Sequence, residues 1–388
     1  MRPQRMKFGI FLAPFHDPRD NPTLAIHRDL QLVELLDELG YDEAWVGEHH
    51  SAGWETIASP EAFIAAAAER TKHIRLGTGV VSLPYHHPLI VADRMVFLDH
   101  LTKGRTMFGV GPGALVSDAY MMGIDPPSQR PRMEESLGVI IRLMTEDEPI
   151  THVSDWFTLR EARLQLRPYT LPHMEMAVAA VQSPAGMVAA GKNGIGVLSF
   201  SIPRGGGALS AVNEFWQIGA KAAREHGKEF RREDWRVVMH VHLAETRKDA
   251  IEQARQQSGR YQREYFEKTI GLPPPPFDGP DDKVVDYMAE NKLWCVGTPD
   301  DMVARIEELL EGTGGFGGLM IQATEWASRE QVFHSYELLA RYVMPHFQGS
   351  LGRLETSMKW SRERRSDFEA LRAQAIDTAK ANYVAKQS

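Results

Sequence analysis

Residues 43–81 read EAWVGEHHSAGWETIASPEAFIAAAAERTKHIRLGTGVV, and this stretch decides the fold. It opens with a short apolar run, 43–46, that is typical of a buried strand. The tripeptide SPE at 59–61 then marks a helix start, with a capping side chain followed by proline at the first helical position. A second β-like run, 74–81, follows the helix. Strand, helix and strand in this order predict two parallel strands joined by a crossover helix.

The same unit recurs along the chain. The predicted strands are 7–12, 43–46, 74–81, 106–110, 174–180, 196–200, 236–242 and 317–322. The predicted helices are 23–39, 60–71, 88–101, 133–145, 185–192, 209–226, 248–268 and 299–310. Eight strand–helix units in a chain of 388 residues predict an α/β fold, a (β/α)8 TIM barrel, better than they predict an open sheet.

Three segments fall outside the repeating unit. Residues 150–168 predict a hairpin or lid, and the proline run at 271–283 predicts a second insertion, near 271–295, because consecutive prolines do not propagate a helix. The charged, helix-forming residues at the end of the chain predict a C-terminal helical extension. We therefore expect a barrel over residues 1–347 and an extension over 348–388, which either packs on the outside of the barrel or serves as a dimer arm.

Composition excludes several classes of protein. No apolar run approaches the ~18 residues that a membrane-spanning helix needs, and the N-terminus has no secretory pattern, so we expect a cytoplasmic protein with no membrane partner. The formal net charge of −8 disfavours nucleic acid as a partner. The single cysteine, Cys295, excludes an internal disulfide and a multi-cysteine zinc site.

In a barrel of this type, functional residues lie at the carboxyl ends of the strands. The second predicted strand runs out into Glu48, His49 and His50, and the third is followed by His86 and His87. Four histidines on neighbouring loops raise a zinc hydrolase as an alternative, because imidazole is a common metal ligand. Neither histidine pair has the HExxH spacing, and no carboxylate completes a familiar ligand pattern, so we expect no metal.

Two further strand ends have the character of ligand sites. The fourth strand leads into GVGPG (109–113), whose glycines leave room for a flat ligand but lack the spacing of a dinucleotide-binding loop. The fifth leads into VQSPAGM (181–187), in which Ser183 and Pro184 mark a helix start. This helix start serves either as an ordinary cap or as a seat for a phosphate, since its free N–H groups and its dipole favour an anion.

Together these motifs resemble the bacterial luciferase-like family of flavin-dependent monooxygenases, over roughly residues 6–345. The segments that carry the resemblance are AWVGEHH (44–50), IRLGTGVVSLPYHHP (74–88), LDHLTKGRTMFGVGPG (98–113), Arg130 at the start of the fourth helix, and VQSPAGMVAAGKNG (181–194). The resemblance implies a reduced flavin, FMN or FAD, as cofactor and O2 as co-substrate. It also implies a partner flavin reductase that consumes NADH, for which this chain has no binding motif.

The resemblance assigns roles to individual residues. It implies that His49 lies at the flavin edge and assists the oxygen chemistry, and that the carboxylate of Glu48 supports the same loop. The bond Gly79–Val80 is expected to be a cis peptide against which the flavin ring packs. Other positions expected to contact the flavin or its phosphate are Thr78, Gly111, Arg130, Gln182, Ser183, Gly186 and Met187. Gly111 and Pro112 stand where light-emitting members carry a cysteine and an arginine, so one phosphate contact is missing.

The implied reaction transfers one oxygen atom from O2, by way of a flavin C4a-(hydro)peroxide, to a small apolar substrate such as a monoterpene. Epoxidation is the expected outcome, and Baeyer–Villiger insertion is left open by the sequence. Apolar side chains at or just beyond strand ends are expected to form the substrate pocket: Phe11, Phe15, Trp54, Tyr85, Met121, Met122 and Phe200. Two alternatives stay open, namely hydride transfer to or from the deazaflavin F420 and flavin binding without catalysis. We also expect a homodimer.

Overall fold

A closed barrel of parallel strands forms the centre of the protein. The computed structural model describes residues 5–13, 15–180, 184–201 and 209–387. The strands are β1 (Lys7–Leu12), β2 (Glu43–Val46), β3 (Arg75–Thr78), β4 (Val81–Ser82), β5 (Thr106–Gly111), β6 (Ile150–Val153), β7 (Thr158–Ala162), β8 (Glu175–Ala179), β9 (Gly196–Phe200), β10 (Trp235–Leu243), β11 (Cys295–Gly297) and β12 (Gly318–Gln322). Parallel pairing runs β1-β2-β3-β5-β8-β9-β10-β12 and returns to β1. The predicted TIM barrel is confirmed.

Helices alternate with the barrel strands and form the outer layer. They are α1 (Pro22–Glu38), α2 (Pro60–Ala68), α3 (Pro88–Leu101), α4 (Val116–Met121), α5 (Pro126–Thr145), α6 (Ala185–Asn193), α7 (Leu209–Glu225), α8 (Arg247–Arg255), α9 (Ser258–Arg260), α10 (Val284–Glu290), α11 (Pro299–Thr313), α12 (Arg329–Leu338), α13 (Met344–Phe347), α14 (Gly352–Glu363) and α15 (Arg365–Ala385). Two π-helical segments, Tyr261–Thr269 and Leu339–Val343, follow α9 and α12. In the part of the chain that the structure describes, no helix has both the length and the apolar character to cross a membrane.

Three elements differ from the sequence-based prediction. The third predicted strand is interrupted at Gly79–Val80, whose peptide bond is cis as the resemblance implies, so β3 and β4 are separate. The fourth predicted helix begins at Pro126 rather than at 133, which places Arg130 inside α5 and not at its start. The predicted helix 248–268 is divided into α8, α9 and the first π-helical segment. Each difference is a local change of backbone geometry that side-chain periodicity does not record.

The C-terminal extension consists of α14 and α15. No residue of either helix is buried, and the large apolar side chains of Leu354 and Tyr383 are 68% and 65% exposed. The structure therefore does not show the packing on the barrel that we considered for this segment.

A buried charge network closes the amino-terminal end of the barrel. The guanidinium of Arg236 in β10 donates to Glu43 of β2 at 3.0 and 2.7 Å and is also ion-paired with Glu175 of β8. Arg236 and Glu43 have no exposed side-chain surface. Burial opposes ionisation of Glu43 and Glu175, but the charge of Arg236 outweighs it and lowers the pKa of both carboxyls, that of Glu175 to about 2. This end of the barrel is therefore a structural closure, which leaves the opposite end for a ligand.

Candidate active site

The carboxylate of Glu48, just beyond the end of β2, joins two loops of the barrel mouth. It accepts hydrogen bonds from the backbone N–H of Ser82 at 2.6 Å, from Nε2 of His86 at 2.6 Å and from Nε2 of His50 at 3.0 Å. Its side chain is almost completely buried. Burial raises the pKa of Glu48, but these partners outweigh burial and lower the pKa below its ordinary value. Glu48 is thus an ionised support that holds the β2 loop against β4.

The Glu48–His86 pair should make stability depend on pH. Burial lowers the pKa of His86, but the hydrogen bond and charge of Glu48 outweigh burial and raise it. The stabilisation is therefore complete below the ordinary histidine pKa of about 6.5 and is lost as the pH rises through the raised value. Glu48→Gln should lower the free energy of unfolding by about 1.5–3 kcal/mol near pH 6 and by less near pH 9, as measured by urea unfolding.

Glu69→Gln, which changes an exposed carboxylate, is the matched control for that prediction. It should leave both the free energy of unfolding and its pH dependence unchanged. An equal loss of stability at both pH values in Glu48→Gln would contradict an ion-paired Glu48.

The imidazole of His49 lies between two carboxylates. Its Nδ1 donates to Oδ2 of Asp118, on α4, at 3.1 Å, and its Nε2 lies 3.3 Å from Oε2 of Glu55. Burial lowers the pKa of His49, but the charges of Glu55 and Asp118 outweigh burial and raise it. The two carboxylates therefore favour the protonated form of His49, and each ring nitrogen is directed at one of them.

Asp118 and Glu55 were missed by sequence reasoning. Asp118 also accepts from the backbone N–H of His50 at 3.1 Å, so it fixes the position of the loop as well as the ring. Both carboxylates lie several residues beyond a strand end, whereas the prediction considered residues directly after each strand. A search of the complete loops for carboxylates would have found both.

The backbone around the strand break forms the first part of a candidate flavin site. The N–H of Gly79 donates to the carbonyl of Val46 at 2.6 Å, which places the break beside the loop of His49. Val80 keeps exposed apolar surface, and a Cβ at Gly111 would lie 2.6 Å from its Cγ2. Glycine is therefore required at 111 for Val80 to take this position.

Thr78 does not present its hydroxyl to a ligand. Its side chain is buried, and Oγ1 donates to the carbonyl of Gly109 at 2.7 Å while accepting from the N–H of Gly109 at 3.0 Å. Thr78 thus joins β3 to β5 beneath the strand break, and its contact with the flavin stays a prediction.

Arg130 is an exposed cation near the start of α5. Among the described residues, none forms a hydrogen bond or ion pair with it. One turn further along the same helix, Glu134 is ion-paired with Lys192 of α6 at 3.2 Å. Because residues four apart lie on the same side of a helix, Arg130 lies on the side of α5 that carries this ion pair, one turn nearer the amino-terminal end of α5.

The N-terminus of α6 forms the second part of the candidate flavin site, where the flavin phosphate is expected. Pro184 precedes the first helical residue, and no described side chain caps the helix. A Cβ at Gly186 would lie 2.4 Å from the carbonyl oxygen of Ala179, so glycine allows the helix to begin directly against β8. Met187 is buried in the core. Two predicted contacts, Gln182 and Ser183, lie outside the described residues.

Three partly exposed apolar side chains form the floor of the barrel mouth: Phe11 of β1, Val80 and Phe200 of β9. They pack on the buried side chains that fill the barrel interior, and the rings of Phe11 and Phe200 are 6.2 Å apart. Two of the three, Phe11 and Phe200, are predicted substrate residues. We call these three side chains the apolar floor.

A cluster of aromatic side chains packs beside the apolar floor. His240 of β10 stacks on Trp326 with ring centres 5.7 Å apart and also faces Phe200 at 6.5 Å. Its Nε2 lies 3.1 Å from the hydroxyl oxygen of Tyr261 on the π-helical segment. Predicted Trp54 is buried and packs against Tyr265 of the same segment. The contribution of this segment was missed because the sequence indicated an ordinary outer helix there.

The remaining predicted substrate residues are placed differently. Met121 and Met122 are 60% and 38% exposed at the end of α4, and the role of Met121 in the substrate pocket stays a prediction. Tyr85 lies beside the histidine loop, 6.1 Å from the ring of His50, and its hydroxyl accepts from Gln129 at 3.1 Å. Phe15 is buried against Tyr261 and Tyr265.

A cavity of about 290 Å³ lies near the ends of β1 and β12. Aromatic residues, including Trp54 and Trp326, line one part of it, and charged residues, including Arg28 and Glu325, line another. No predicted flavin contact within the described residues lines this cavity, so it is separate from the candidate flavin site.

The histidine loops do not form a metal centre in the described part of the chain. His49, His50 and His86 each direct a ring nitrogen at a carboxylate, and no group of three histidine, cysteine, aspartate or glutamate side chains there has the arrangement of a metal site. The geometry favours ion pairs over zinc ligation.

Comparison with known proteins places this barrel in a family. The chain matches the model of the luciferase-like monooxygenases over residues 6–315. It is 47% identical over 361 residues to 4-hydroxyprotoasukamycin monooxygenase of Streptomyces nodosus subsp. asukaensis, covering 93% of this chain and 97% of that protein. It is also 47% identical over 350 residues to limonene 1,2-monooxygenase of Rhodococcus erythropolis, covering 90% and 88%.

A solved structure agrees with these relatives. The oxygenating constituent of 3,6-diketocamphane monooxygenase from Pseudomonas putida, a type II Baeyer–Villiger monooxygenase in complex with FMN, matches with a TM-score of 0.74 and 25% identity over 88% of this chain and 98% of that one. The chain belongs to the luciferase-like monooxygenase family. Within the family it is a monooxygenase similar to 4-hydroxyprotoasukamycin monooxygenase and to limonene 1,2-monooxygenase. The family that the motifs predicted is confirmed.

Proposed function

We propose that the protein uses reduced FMN and O2 to oxygenate a small apolar compound such as the monoterpene limonene, by epoxidation of a carbon–carbon double bond. Bound reduced flavin would supply the two electrons that allow one oxygen atom to enter the substrate and the other to leave as water. The flavin would arrive reduced from a separate reductase that oxidises NADH.

The apolar floor carries this proposal. Phe11, Val80 and Phe200 leave apolar surface uncovered inside a barrel mouth, at the end where ligands of this fold bind. Apolar surface in a concave site favours a ligand that removes it from water. Because these side chains carry no hydrogen-bonding groups, they favour a substrate without a charged handle.

The surrounding residues fit an FMN molecule. Arg130 supplies a cation, and the N-terminus of α6, which no side chain of the described residues caps, supplies N–H groups; together they are the donor set that a phosphate requires. Gly111 lets the Val80 side chain pack directly against β5, and the partly exposed surface of Val80 would support a flat ring beside the loop of His49. His49 would hold its proton and positive charge near that ring, and the aromatic cluster would exclude water.

Arg130→Ala is expected to weaken FMN binding by roughly 10- to 150-fold, about 1.5–3 kcal/mol, which is typical for a hydrogen bond to a charged group. Riboflavin, which lacks the phosphate, should bind equally to both proteins. The measurement is a fluorescence titration with each flavin, and Arg142→Ala, a change on the same helix further from its start, is the control. Equal binding of FMN to Arg130→Ala and the unchanged protein would remove Arg130 from the site.

The proposed reaction is tested by oxygen uptake with a flavin reductase, NADH, FMN and a panel of monoterpenes. The proposal expects uptake that depends on the terpene and an epoxide as product. Product formed without O2 would instead indicate hydride transfer, and flavin binding with no terpene-dependent uptake would indicate a non-catalytic barrel. Either result contradicts the proposal.

A further inference from the structure

The Nε2 atom of His49 is paired with a buried carboxylate, that of Glu55. Glu55 is buried, and its Oε2 lies 3.3 Å from Nε2 of His49. A neutral imidazole has one N–H and one lone pair. Because Nδ1 donates to Asp118, loss of the second proton would turn the lone pair of Nε2 toward a negatively charged oxygen. The two carboxylates therefore favour the doubly protonated ring.

Glu55 is held in this orientation from two sides. Its backbone pairs with Phe15 in an antiparallel bridge, and its Oε1 accepts a hydrogen bond from the hydroxyl of Tyr265. Tyr265 lies on the π-helical segment and is itself buried, with its ring 4.9 Å from Phe15 and 5.7 Å from Trp54. The carboxylate is thus fixed by a residue 210 positions away in sequence.

We infer that Glu55, fixed by Tyr265, is a positioning residue that holds the imidazole of His49 protonated and in place. The π-helical segment that supplies aromatic residues to the mouth then also determines the charge of His49. The π-helical segment would then have to pack in its observed position for His49 to stay protonated. The consequence for oxygenation rests on the proposed function, whereas the effect on the imidazole does not.

Several titratable groups surround His49, and the carboxylates among them favour its protonation. Glu55 and Asp118 are nearest, and Glu48 adds a further negative charge. His50 is nearby, but its Nε2 is directed at Glu48. Tyr85 faces Asp118 and Glu48; burial, followed by the charges of these two groups, raises its pKa to about 12, so it stays neutral. Glu55 is the one of these carboxylates that the π-helical segment orients through Tyr265.

The test is a titration of His49 in the flavin-free protein, followed by histidine-selective NMR and assigned by loss of the signal in His49→Gln. Glu55→Gln removes the charge and should lower the pKa of His49. Tyr265→Phe keeps the charge but removes the hydrogen bond that orients it, and should lower the pKa by a smaller amount. Glu55→Asp should restore part of the loss, and Glu69→Gln should change nothing.

An unchanged pKa of His49 in both Glu55→Gln and Tyr265→Phe would overturn the inference. Tyr265→Phe loses one hydroxyl group from a packed ring, so it supplies the answer if Glu55→Gln does not fold. Because the titration needs neither flavin nor substrate, it separates this inference from the proposed function. In the loaded enzyme, the same two variants should release more hydrogen peroxide per NADH as the pH rises. An unaltered peroxide profile together with a lowered pKa of His49 would count against the proposed role of His49 in oxygenation and not against this inference.

Discussion

Replacing His49 with glutamine is expected to lower oxygenated product per NADH by a factor of about 10²–10⁴, the range for a side chain that assists proton transfer, while hydrogen peroxide increases. Glutamine keeps an amide that can donate to Asp118 or Glu55, but it carries no positive charge and no transferable proton. The variant separates the chemical role of the imidazole from its role in holding two carboxylates apart. Product by gas chromatography and peroxide are measured in the same reaction.

His87→Gln is the matched control for this prediction. His87 is an exposed histidine of the neighbouring loop whose ring packs against Phe157. The His87→Gln variant should form as much oxygenated product per NADH as the unchanged protein. FMN affinity and unfolding should be measured for both variants, so that loss of binding or stability is not taken for loss of chemistry. A fully coupled His49→Gln would remove His49 from the proposed mechanism.

Arg236→Met is expected to lower the free energy of unfolding by about 3–5 kcal/mol, as for removal of one partner from a buried ion pair. The change removes the cation that most lowers the pKa of Glu43 and Glu175. Among the described residues, only Lys7 beside both carboxylates and Arg75 beside Glu175 then remain to compensate their charge. The penalty arises chiefly from the uncompensated negative charge and less from loss of packing, because methionine fills much of the same volume. Chemical unfolding near neutral pH measures it.

The double variant Arg236→Met with Glu43→Gln tests that cause. Removing the carboxylate charge together with the guanidinium should recover part of the lost stability. Arg247→Met, which removes an exposed partner of Asp301, is the control and should have little effect. If the double variant is less stable than Arg236→Met, uncompensated charge is not the cause.

The barrel could be predicted because each of its units is encoded locally. In residues 43–81, the strand, the capped helix and the next strand lie within one short stretch, and the same alternation continues along the chain. Short elements escaped prediction for the same reason. The strand β11 has three residues and α4 has six, too few for a periodic pattern to emerge.

The histidine loop was found from the sequence, but its partners were not. His49 and Glu48 lie just beyond the carboxyl end of a barrel strand, and this position alone brings them to the barrel mouth. Asp118 lies 69 residues from His49, and its role depends on how α4 packs against the β2 loop. The contact of Glu55 with Tyr265 spans 210 residues and depends on the π-helical turn, which no local pattern encodes.

The sequence predicts the direction of an apolar side chain at the barrel mouth better for some residues than for others. Phe11 and Phe200 point into the mouth because they occupy inward positions of barrel strands, where alternation fixes the direction of the side chain. Met121 lies on a short helix, where rotation about the helix axis decides its direction and turns it to solvent. The direction of a side chain is therefore easier to predict from the sequence on a barrel strand than on a short helix.

The central claim, that one atom of O2 enters an apolar substrate at this barrel mouth, is tested most directly by a single turnover under ¹⁸O2. The enzyme is mixed with stoichiometric, chemically reduced FMN and limonene, so that no reductase contributes to the result. The account predicts an epoxide that carries one ¹⁸O atom and no product when O2 is absent. A product without ¹⁸O, or one formed anaerobically, would contradict it.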